Sequence, residues 1–210
     1  MAKIQPFENH TEKYETWFQN HEIAYQSELR AIKSLLPESG FGLEIGVGSG
    51  RFAGPLGIKI GLEPSEKMGK AARKRGISVI EGVAEALPFV SNGFDYAVIV
   101  TTICFLDNIV LSLMETNRIL RPGGRLVIGF IDRNSPLGKT YQKNKNKNVF
   151  YREATFLSVD QVISYLLRAR FSNPYFAQTL FHPLSDMNTI ELTKNGYGKG
   201  SFVVIRAEKS

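Results

Sequence analysis

Residues 43–52 read Leu-Glu-Ile-Gly-Val-Gly-Ser-Gly-Arg-Phe, and this stretch decides the fold. It begins as an apolar strand and ends in a glycine-rich turn. Residues 60–65, Ile-Gly-Leu-Glu-Pro-Ser, then form a second short strand that ends on the acidic residue Glu63. This arrangement predicts a nucleoside-binding crevice at the carboxyl ends of neighbouring parallel strands.

The glycine turn has alternating glycines at Gly46, Gly48 and Gly50. Without Cβ atoms, these residues let the chain bend sharply and let a ligand approach the backbone closely. A dinucleotide-binding turn, G-x-G-x-x-G, would need a small residue where Arg51 stands. Glu44, two residues before the first glycine, would repel a phosphate and attract a cationic ligand. A turn with a purely structural role is the alternative.

Glu63 lies 19 residues beyond Glu44, close to the separation of about 20 expected for an acid that binds a ribose. Its carboxylate can accept hydrogen bonds from both ribose hydroxyls, each contributing about 1.5–3 kcal/mol. The alternative is an exposed acid in the turn before Pro64.

Four stretches, residues 43–52, 61–65, 81–89 and 118–129, together resemble the class I S-adenosylmethionine-dependent methyltransferases. More narrowly, the chain is similar to the type-11 group of small-molecule methyltransferases. The third stretch reads Glu-Gly-Val-Ala-Glu-Ala-Leu-Pro-Phe, and the fourth reads Arg-Ile-Leu-Arg-Pro-Gly-Gly-Arg-Leu-Val-Ile-Gly. The first and third stretches are specific as a pair, whereas the fourth is mainly a helix-turn-strand joint.

The resemblance implies S-adenosylmethionine as the cofactor and a role for each matching residue. Glu44 would face the ammonium group of the cofactor, directly or through water, and Glu63 would hold the ribose hydroxyls. The other residues implied at the cofactor site are Gly46, Gly48, Gly50, Pro64, Ala84, Glu85 and Thr101. Val83 departs from many relatives, which have Asp there, so adenine recognition is expected to rest on the backbone and on Glu85.

The fold that the resemblance implies is a single α/β domain over residues 1–210. Residues 11–36 show helical periodicity, and residues 1–40 are expected to form an N-terminal helical cap. Residues 41–210 form a Rossmann-like core, a seven-stranded and mostly parallel sheet with an antiparallel C-terminal hairpin and helices on both faces. A basic, lid-like loop is expected near residues 133–150, with a disordered surface loop as the alternative.

Composition narrows the function classes. The chain has 210 residues, enough for one domain with a full core. It begins without an apolar signal segment and has no run of about 18 apolar residues, which predicts a cytoplasmic protein without a membrane span. A single cysteine, Cys104, and three scattered histidines predict no metal site.

The formal net charge of +6 raises the question of a nucleic-acid partner. The basic residues fall in two stretches, residues 67–75 and residues 139–147, and neither contains the interleaved aromatic residues of a single-strand binding surface. A nucleic-acid partner is therefore disfavoured.

No catalytic residue is predicted, because methyl transfer from a sulfonium expels a neutral leaving group and depends mainly on orientation. Four residues are candidates for facing the acceptor: Tyr14, Trp17, Tyr141 and His182. For the aromatic residues the alternative is plain packing, and for His182 it is a loop histidine without a role.

The sequence thus predicts methyl transfer from S-adenosylmethionine to a small-molecule acceptor. Three alternatives stay open: an RNA methyltransferase, a non-catalytic cofactor-binding protein and a nicotinamide-dependent oxidoreductase. The pattern carries no prediction of the acceptor's identity or of the oligomeric state.

Overall fold

The computed structural model describes residues 4–210, which form one mixed sheet of eight strands with helices packed on it. The strands are β1 (Gly42–Ile45), β2 (Ile60–Leu62), β3 (Ser78–Ile80), β4 (Phe94–Val100), β5 (Leu120–Ile131), β6 (Phe171–Thr179), β7 (Lys194–Asn195) and β8 (Phe202–Lys209). Their order in the sheet is β3-β2-β1-β4-β5-β8-β6-β7. The first five strands pair in parallel, and the last three are antiparallel.

The predicted fold class is confirmed, with one difference in the number of strands. The C-terminal strand β8 lies between β5 and β6 and pairs with β6 as the predicted hairpin. The eighth strand is β7, a two-residue edge strand that pairs with β6. So short a strand carries no hydrophobic alternation, and the sequence pattern therefore did not predict it.

Eight α-helices surround the sheet in residues 4–210. They are α1 (Gln5–Asn9), α2 (Thr11–Asn20), α3 (Glu22–Lys33), α4 (Ala53–Leu56), α5 (Glu66–Lys74), α6 (Ile109–Ile119), α7 (Pro136–Lys143) and α8 (Val159–Arg168). Side chains of β4 alternate between two apolar clusters, with Ala97 and Ile99 in one and Val98 and Val100 in the other. This alternation places a hydrophobic layer on each face of the sheet, as a doubly covered strand requires.

Local capping signals start several helices. The Ser65 hydroxyl accepts a hydrogen bond from the amide of Met68 at the start of α5. Ser158 and Gln161 form a complete capping box at the start of α8. The cap of α6 is Asn108, whose side chain accepts a hydrogen bond from the amide of Leu111 at 3.0 Å.

Residues 133–150 contain a helix where a loop was expected. The hydroxyl of Ser135 accepts a hydrogen bond from the Gly138 amide at 3.0 Å, and Pro136 occupies the first helical position. Both features favour a helix start, and α7 follows. The lid function of this segment stays a prediction.

The strand order places a switch point between β1 and β4. From β1 the chain runs outward through β2 and β3, then returns to β4 on the other side of β1. Connections diverge there, which leaves a crevice at the carboxyl ends of the two strands. The glycine turn follows β1 into this crevice, and residues 101–105 enter it after β4. Among residues 4–210, no helix is both long and apolar enough to cross a membrane.

Candidate active site

A cavity of about 250 Å³ lies at the carboxyl ends of β1 and β4. We divide its lining into two parts. The bend wall follows the parallel strands and comprises Gly46, Gly48, Glu63, Pro64, Gly82, Val83, Ala84, Glu85 and Thr101. The aromatic wall comes from the N-terminal helices and from the segment after β5, and it comprises Phe7, Tyr14, Trp17, Phe18, Glu28, Tyr141, Phe150 and Tyr151.

Glu63 is fixed on the bend wall by two backbone amides. Its Oε2 accepts from the Gly48 amide at 2.8 Å, and its Oε1 accepts from the Ser65 amide at 2.9 Å. Burial raises the pKa of Glu63 to about 7, against the opposing effect of these two hydrogen bonds. Each carboxylate oxygen can accept a further hydrogen bond, so the group can receive two hydroxyls from a ligand.

Gly46 and Gly48 of the bend wall serve different needs. Gly46 has φ +71°, and a Cβ there would lie 2.3 Å from the methyl group of Thr102. Gly48 has φ +54°, but its Cβ would meet nothing closer than 3.4 Å, at Met68 and at the Tyr14 hydroxyl. Gly46 therefore allows the protein to pack, whereas Gly48 leaves open space in the cavity.

Glu44 lies outside the cavity lining, in the layer behind the bend. It is 1 % exposed, and its Oε2 has no hydrogen-bond partner within residues 4–210. Burial raises the pKa of Glu44 well above its usual value, although the amide of Ala53 donates to the carboxylate and opposes that shift. One oxygen of this buried acid is thus left without a partner, and a nearby cationic group would favour its ionised form.

Besides Glu44, two further predicted residues are not brought into the cavity. Gly50 packs against helix α5, since a Cβ there would lie 2.5 Å from Cδ1 of Ile77 and 3.3 Å from Ala72. The His182 side chain is 70 % exposed, and its Nδ1 lies 2.7 Å from a carboxylate oxygen of Glu191. Gly50 therefore has a packing role in the structure, and the exposed His182 is in hydrogen-bond contact with Glu191.

Ala84 and Glu85 lie on the bend wall as predicted, but Glu85 has a second task. Its Oε1 accepts hydrogen bonds from the amides of Asp107 at 2.9 Å and Asn108 at 3.1 Å. One carboxylate oxygen of Glu85 thus connects the segment after β3 to the start of α6.

Thr101 ends β4 in an unusual backbone conformation. Its φ of +51° is a left-handed value that a β-branched residue rarely adopts. Its amide donates to the carbonyl of Gly129 at 2.8 Å, which holds it against β5. Strain of this kind, worth about 1–3 kcal/mol, is concentrated at functional sites, and Thr101 lines the cavity here.

Aromatic rings from separate segments meet in the aromatic wall. The ring centroid of Phe7 lies 5.0 Å from that of Phe105 and 5.3 Å from that of Phe150. Tyr14 contacts Phe18 with a centroid distance of 5.0 Å. Tyr14 and Trp17, both predicted to face the acceptor, line the cavity. Helices α1 and α2 therefore cover the crevice.

Helix α1 is held to the core by one carboxylate. Oε2 of Glu8 accepts from the Ser65 hydroxyl at 2.6 Å and from the Lys67 amide at 3.2 Å. The Ser65 hydroxyl also lowers the pKa of Glu8. Because Ser65 is the N-cap of α5 and is bonded to Glu63 through its amide, the covering helix is fastened directly beside the bend wall.

Tyr141 and Tyr151 form a pair on the opposite side of the aromatic wall. Their ring centroids are 4.7 Å apart. Burial raises the pKa of Tyr141 to about 12, and burial also raises the pKa of Tyr151 well above its usual value. Tyr141 was predicted to face the acceptor and lines the cavity. Both phenols keep their protons at neutral pH and can donate hydrogen bonds.

Glu28 is the site residue that the sequence interpretation missed. It lies on α3, is 3 % exposed and lines the cavity. Its neighbours on the same helix face, Ala24, Ala31 and Ile32, are buried and apolar. An acid within an apolar helical stripe was visible in the sequence, because positions i−4, i+3 and i+4 share a face.

The chain is similar in sequence and in fold to known methyltransferases. The family model described as a methyltransferase domain matches residues 43–128. A Thermotoga maritima protein of known crystal structure, described as a SAM-dependent methyltransferase and possible histamine N-methyltransferase, is 51 % identical in sequence to this chain. It superposes with a TM-score of 0.97 over 99 % of this chain and 100 % of that one.

Two curated relatives extend the comparison. An uncharacterized protein of Methanocaldococcus jannaschii is 46 % identical over 203 residues, which cover 97 % of this chain and 98 % of that protein. The demethylmenaquinone methyltransferase of Staphylococcus carnosus is 39 % identical over 79 residues, which cover 35 % of this chain and 33 % of that enzyme. The similarity thus extends over the whole chain in one relative and over part of the core in the other.

Proposed function

The chain belongs to the class I S-adenosylmethionine-dependent methyltransferases, and we propose that it methylates a small molecule bound at the aromatic wall. Membership of this family establishes both the cofactor and the enzyme class. It therefore excludes the nicotinamide-dependent oxidoreductase and the non-catalytic cofactor-binding protein as alternatives. The nature of the acceptor is the part that this proposal adds.

The bend wall fits the cofactor. Glu63 would accept hydrogen bonds from the two ribose hydroxyls, and the open space at Gly48 would let the methionine portion approach the backbone. The orphaned oxygen of Glu44 would favour the cofactor's ammonium group through the bend. When bound, S-adenosylmethionine supplies an electrophilic methyl group on a sulfonium whose thioether leaves uncharged.

The residues of this chain then have two tasks, to orient the acceptor and to exclude water. Orientation of the reacting atoms can be worth about 7–11 kcal/mol. The rings of Phe7, Tyr14 and Phe150 cover the cavity and keep bulk water from the acceptor. The neutral phenols of Tyr141 and Tyr151 can hold polar atoms of the acceptor by hydrogen bonds.

The single observation that supports a small acceptor is the covered aromatic wall. A polymer such as RNA needs an open, basic groove, whereas this crevice lies under α1 and α2. The basic stretch on α5 is also partly engaged within the protein: Arg73 donates to the carbonyl of Val79, and Arg75 donates to the carbonyl of Ser49. The names of the Thermotoga and Staphylococcus relatives also point to small acceptors.

Titration with S-adenosylhomocysteine in a calorimeter tests the cofactor site. We expect Glu63→Ala to weaken binding about 10–150-fold, because hydrogen bonds to a charged group contribute about 1.5–3 kcal/mol. Glu66→Ala serves as the matched control, because Glu66 is an exposed acid three residues further along the chain, at the start of α5. Equal affinities of Glu63→Ala and the unmodified protein would remove Glu63 from the site.

The acceptor proposal needs a separate measurement. Methyl transfer from labelled cofactor should be seen with members of a small-molecule panel and not with total RNA. Transfer to RNA alone would overturn the proposal while leaving the family assignment intact.

A further inference from the structure

One acid in the cavity is not used by the cofactor site described above. Glu28 lines the aromatic wall and is 3 % exposed. No residue of 4–210 donates a hydrogen bond to its carboxylate or pairs with it as a cation. Lys13 is the single cationic residue in the described lining of the cavity, and its side chain is exposed.

An unpaired carboxylate in such surroundings destabilises the protein. Removing an ionised carboxylate from water without a partner costs several kcal/mol, so the group takes up a proton more readily. Burial accordingly raises the pKa of Glu28 to about 8. An apolar residue would continue the stripe formed by Ala24, Ala31 and Ile32, so packing gives no reason for an acid here.

The surroundings of Glu28 are suited to a cationic ligand. After burial itself, the negative charge of Glu28 is the largest influence that raises the pKa of Tyr141, and it also contributes at Tyr14 and Tyr151. Glu28 and the phenols of Tyr14, Tyr141 and Tyr151 line the same cavity. Aromatic faces attract ammonium groups by roughly 0.5–2 kcal/mol. A carboxylate among aromatic rings is thus complementary to a protonated amine.

We propose that the methyl acceptor is an amine and that Glu28 binds its basic nitrogen. This proposal rests on the proposed methyl transfer and assigns the substrate class of the same site. Glu28 would repel a carboxylate acceptor. An alcohol or thiol acceptor would leave the negative charge of Glu28 without a cationic partner.

The proton balance of the reaction is consistent with this role. An amine enters as its ammonium form, and one N–H proton passes to the Glu28 carboxylate, which frees the nitrogen lone pair. That lone pair forms the bond to the methyl carbon as the carbon–sulfur bond breaks with its electron pair on sulfur. The product leaves as a methylammonium ion, and Glu28 returns its proton to water. The other titratable residues that line the same cavity are Lys13, Tyr14, Glu63, Glu85, Cys104, Asp107, Tyr141 and Tyr151.

The test compares the binding of three probes of similar size to the protein loaded with S-adenosylhomocysteine. The probes are 2-phenylethylamine, 2-phenylethanol and 3-phenylpropionate, with histamine and tyramine added to widen the amine series. We expect at least one amine to bind about tenfold or more tightly than the alcohol, and the carboxylate to bind least. Glu28→Gln should weaken amine binding about 10–150-fold and leave the affinity for S-adenosylhomocysteine within twofold.

Glu22→Gln is the matched control, because Glu22 is an exposed acid of the same helix. It should not change the binding of any probe. Thermal unfolding supplies a second readout: Glu28→Gln should melt at a higher temperature than the unmodified protein at pH 8, since it removes a buried unpaired charge.

The outcomes separate this proposal from the one before it. If S-adenosylhomocysteine binds but no amine does, or if amines bind Glu28→Gln as well as the unmodified protein, the amine proposal is overturned and the methyltransferase stands. A lower melting temperature of Glu28→Gln with unchanged amine binding would make Glu28 a structural residue. Absence of S-adenosylhomocysteine binding would overturn both proposals.

Discussion

The two walls of the cavity are built in different ways. The bend wall uses backbone: glycines with positive φ, amides that hold Glu63, and the ends of parallel strands. The aromatic wall uses side chains from helices outside the sheet, and it contains the unpaired Glu28. The match to the methyltransferase domain covers residues 43–128, which include the whole bend wall and none of the residues of the aromatic wall. The wall proposed to bind the family's cofactor is thus separate in sequence from the wall proposed to bind the acceptor.

The largest expected effect distinguishes two glycines of the same bend. Gly46→Ala should destabilise the protein by about 2–4 kcal/mol, because the new Cβ would clash with Thr102 at a positive φ. Gly48→Ala should cost only about 1–2 kcal/mol of stability, since its Cβ meets no atom within 3.4 Å. Urea unfolding measures both changes.

For affinity toward S-adenosylhomocysteine, unlike for stability, the Gly48 substitution should have the larger effect of the two. Gly48→Ala fills space in the cavity, so its affinity for S-adenosylhomocysteine should fall even though the protein stays folded. If Gly48→Ala binds as tightly as the unmodified protein, the bend wall does not contact the ligand at this point.

A pH titration sharpens the comparison at Glu63. Its pKa is raised to about 7, so the carboxylate is mostly protonated at pH 6 and mostly ionised at pH 8. The ionised form accepts ribose hydrogen bonds better, so affinity for S-adenosylhomocysteine should rise about tenfold over this range. Calorimetry at several pH values measures it. Glu63→Gln, which does not ionise, should flatten the profile; a steep profile in that variant would assign the effect to another acid.

The smallest effect concerns the helix that covers the aromatic wall. Glu8→Gln weakens the hydrogen bonds from Ser65 and Lys67 that fasten α1, at a cost of about 0.5–1 kcal/mol. The dissociation rate of S-adenosylhomocysteine should rise about two- to fivefold, as measured by stopped flow. Glu12→Gln, an exposed acid on α2, is the control. A rate unchanged in Glu8→Gln would mean that the ligand leaves without movement of α1.

Prediction from sequence succeeded where a short stretch carries its own signal. The glycine turn and the acid at the end of β2 are local patterns, and the structure has both of them at the expected place. The sequence could not supply tertiary partners. Gly50, implied at the cofactor site, packs on Ile77 in the structure, and the Glu85 carboxylate accepts hydrogen bonds from the amides of Asp107 and Asn108.

The sequence by itself determined the parallel core and the bend wall, since strands, turns and the spacing of Glu44 and Glu63 depend on residues close together along the chain. Only the tertiary structure placed Glu28 among the tyrosines, because α3, α2 and α7 meet at the cavity through packing and not through sequence proximity. Burial is a property of that assembly. The same packing made an ordinary helical glutamate into an acid with a raised pKa and His182 into a surface residue.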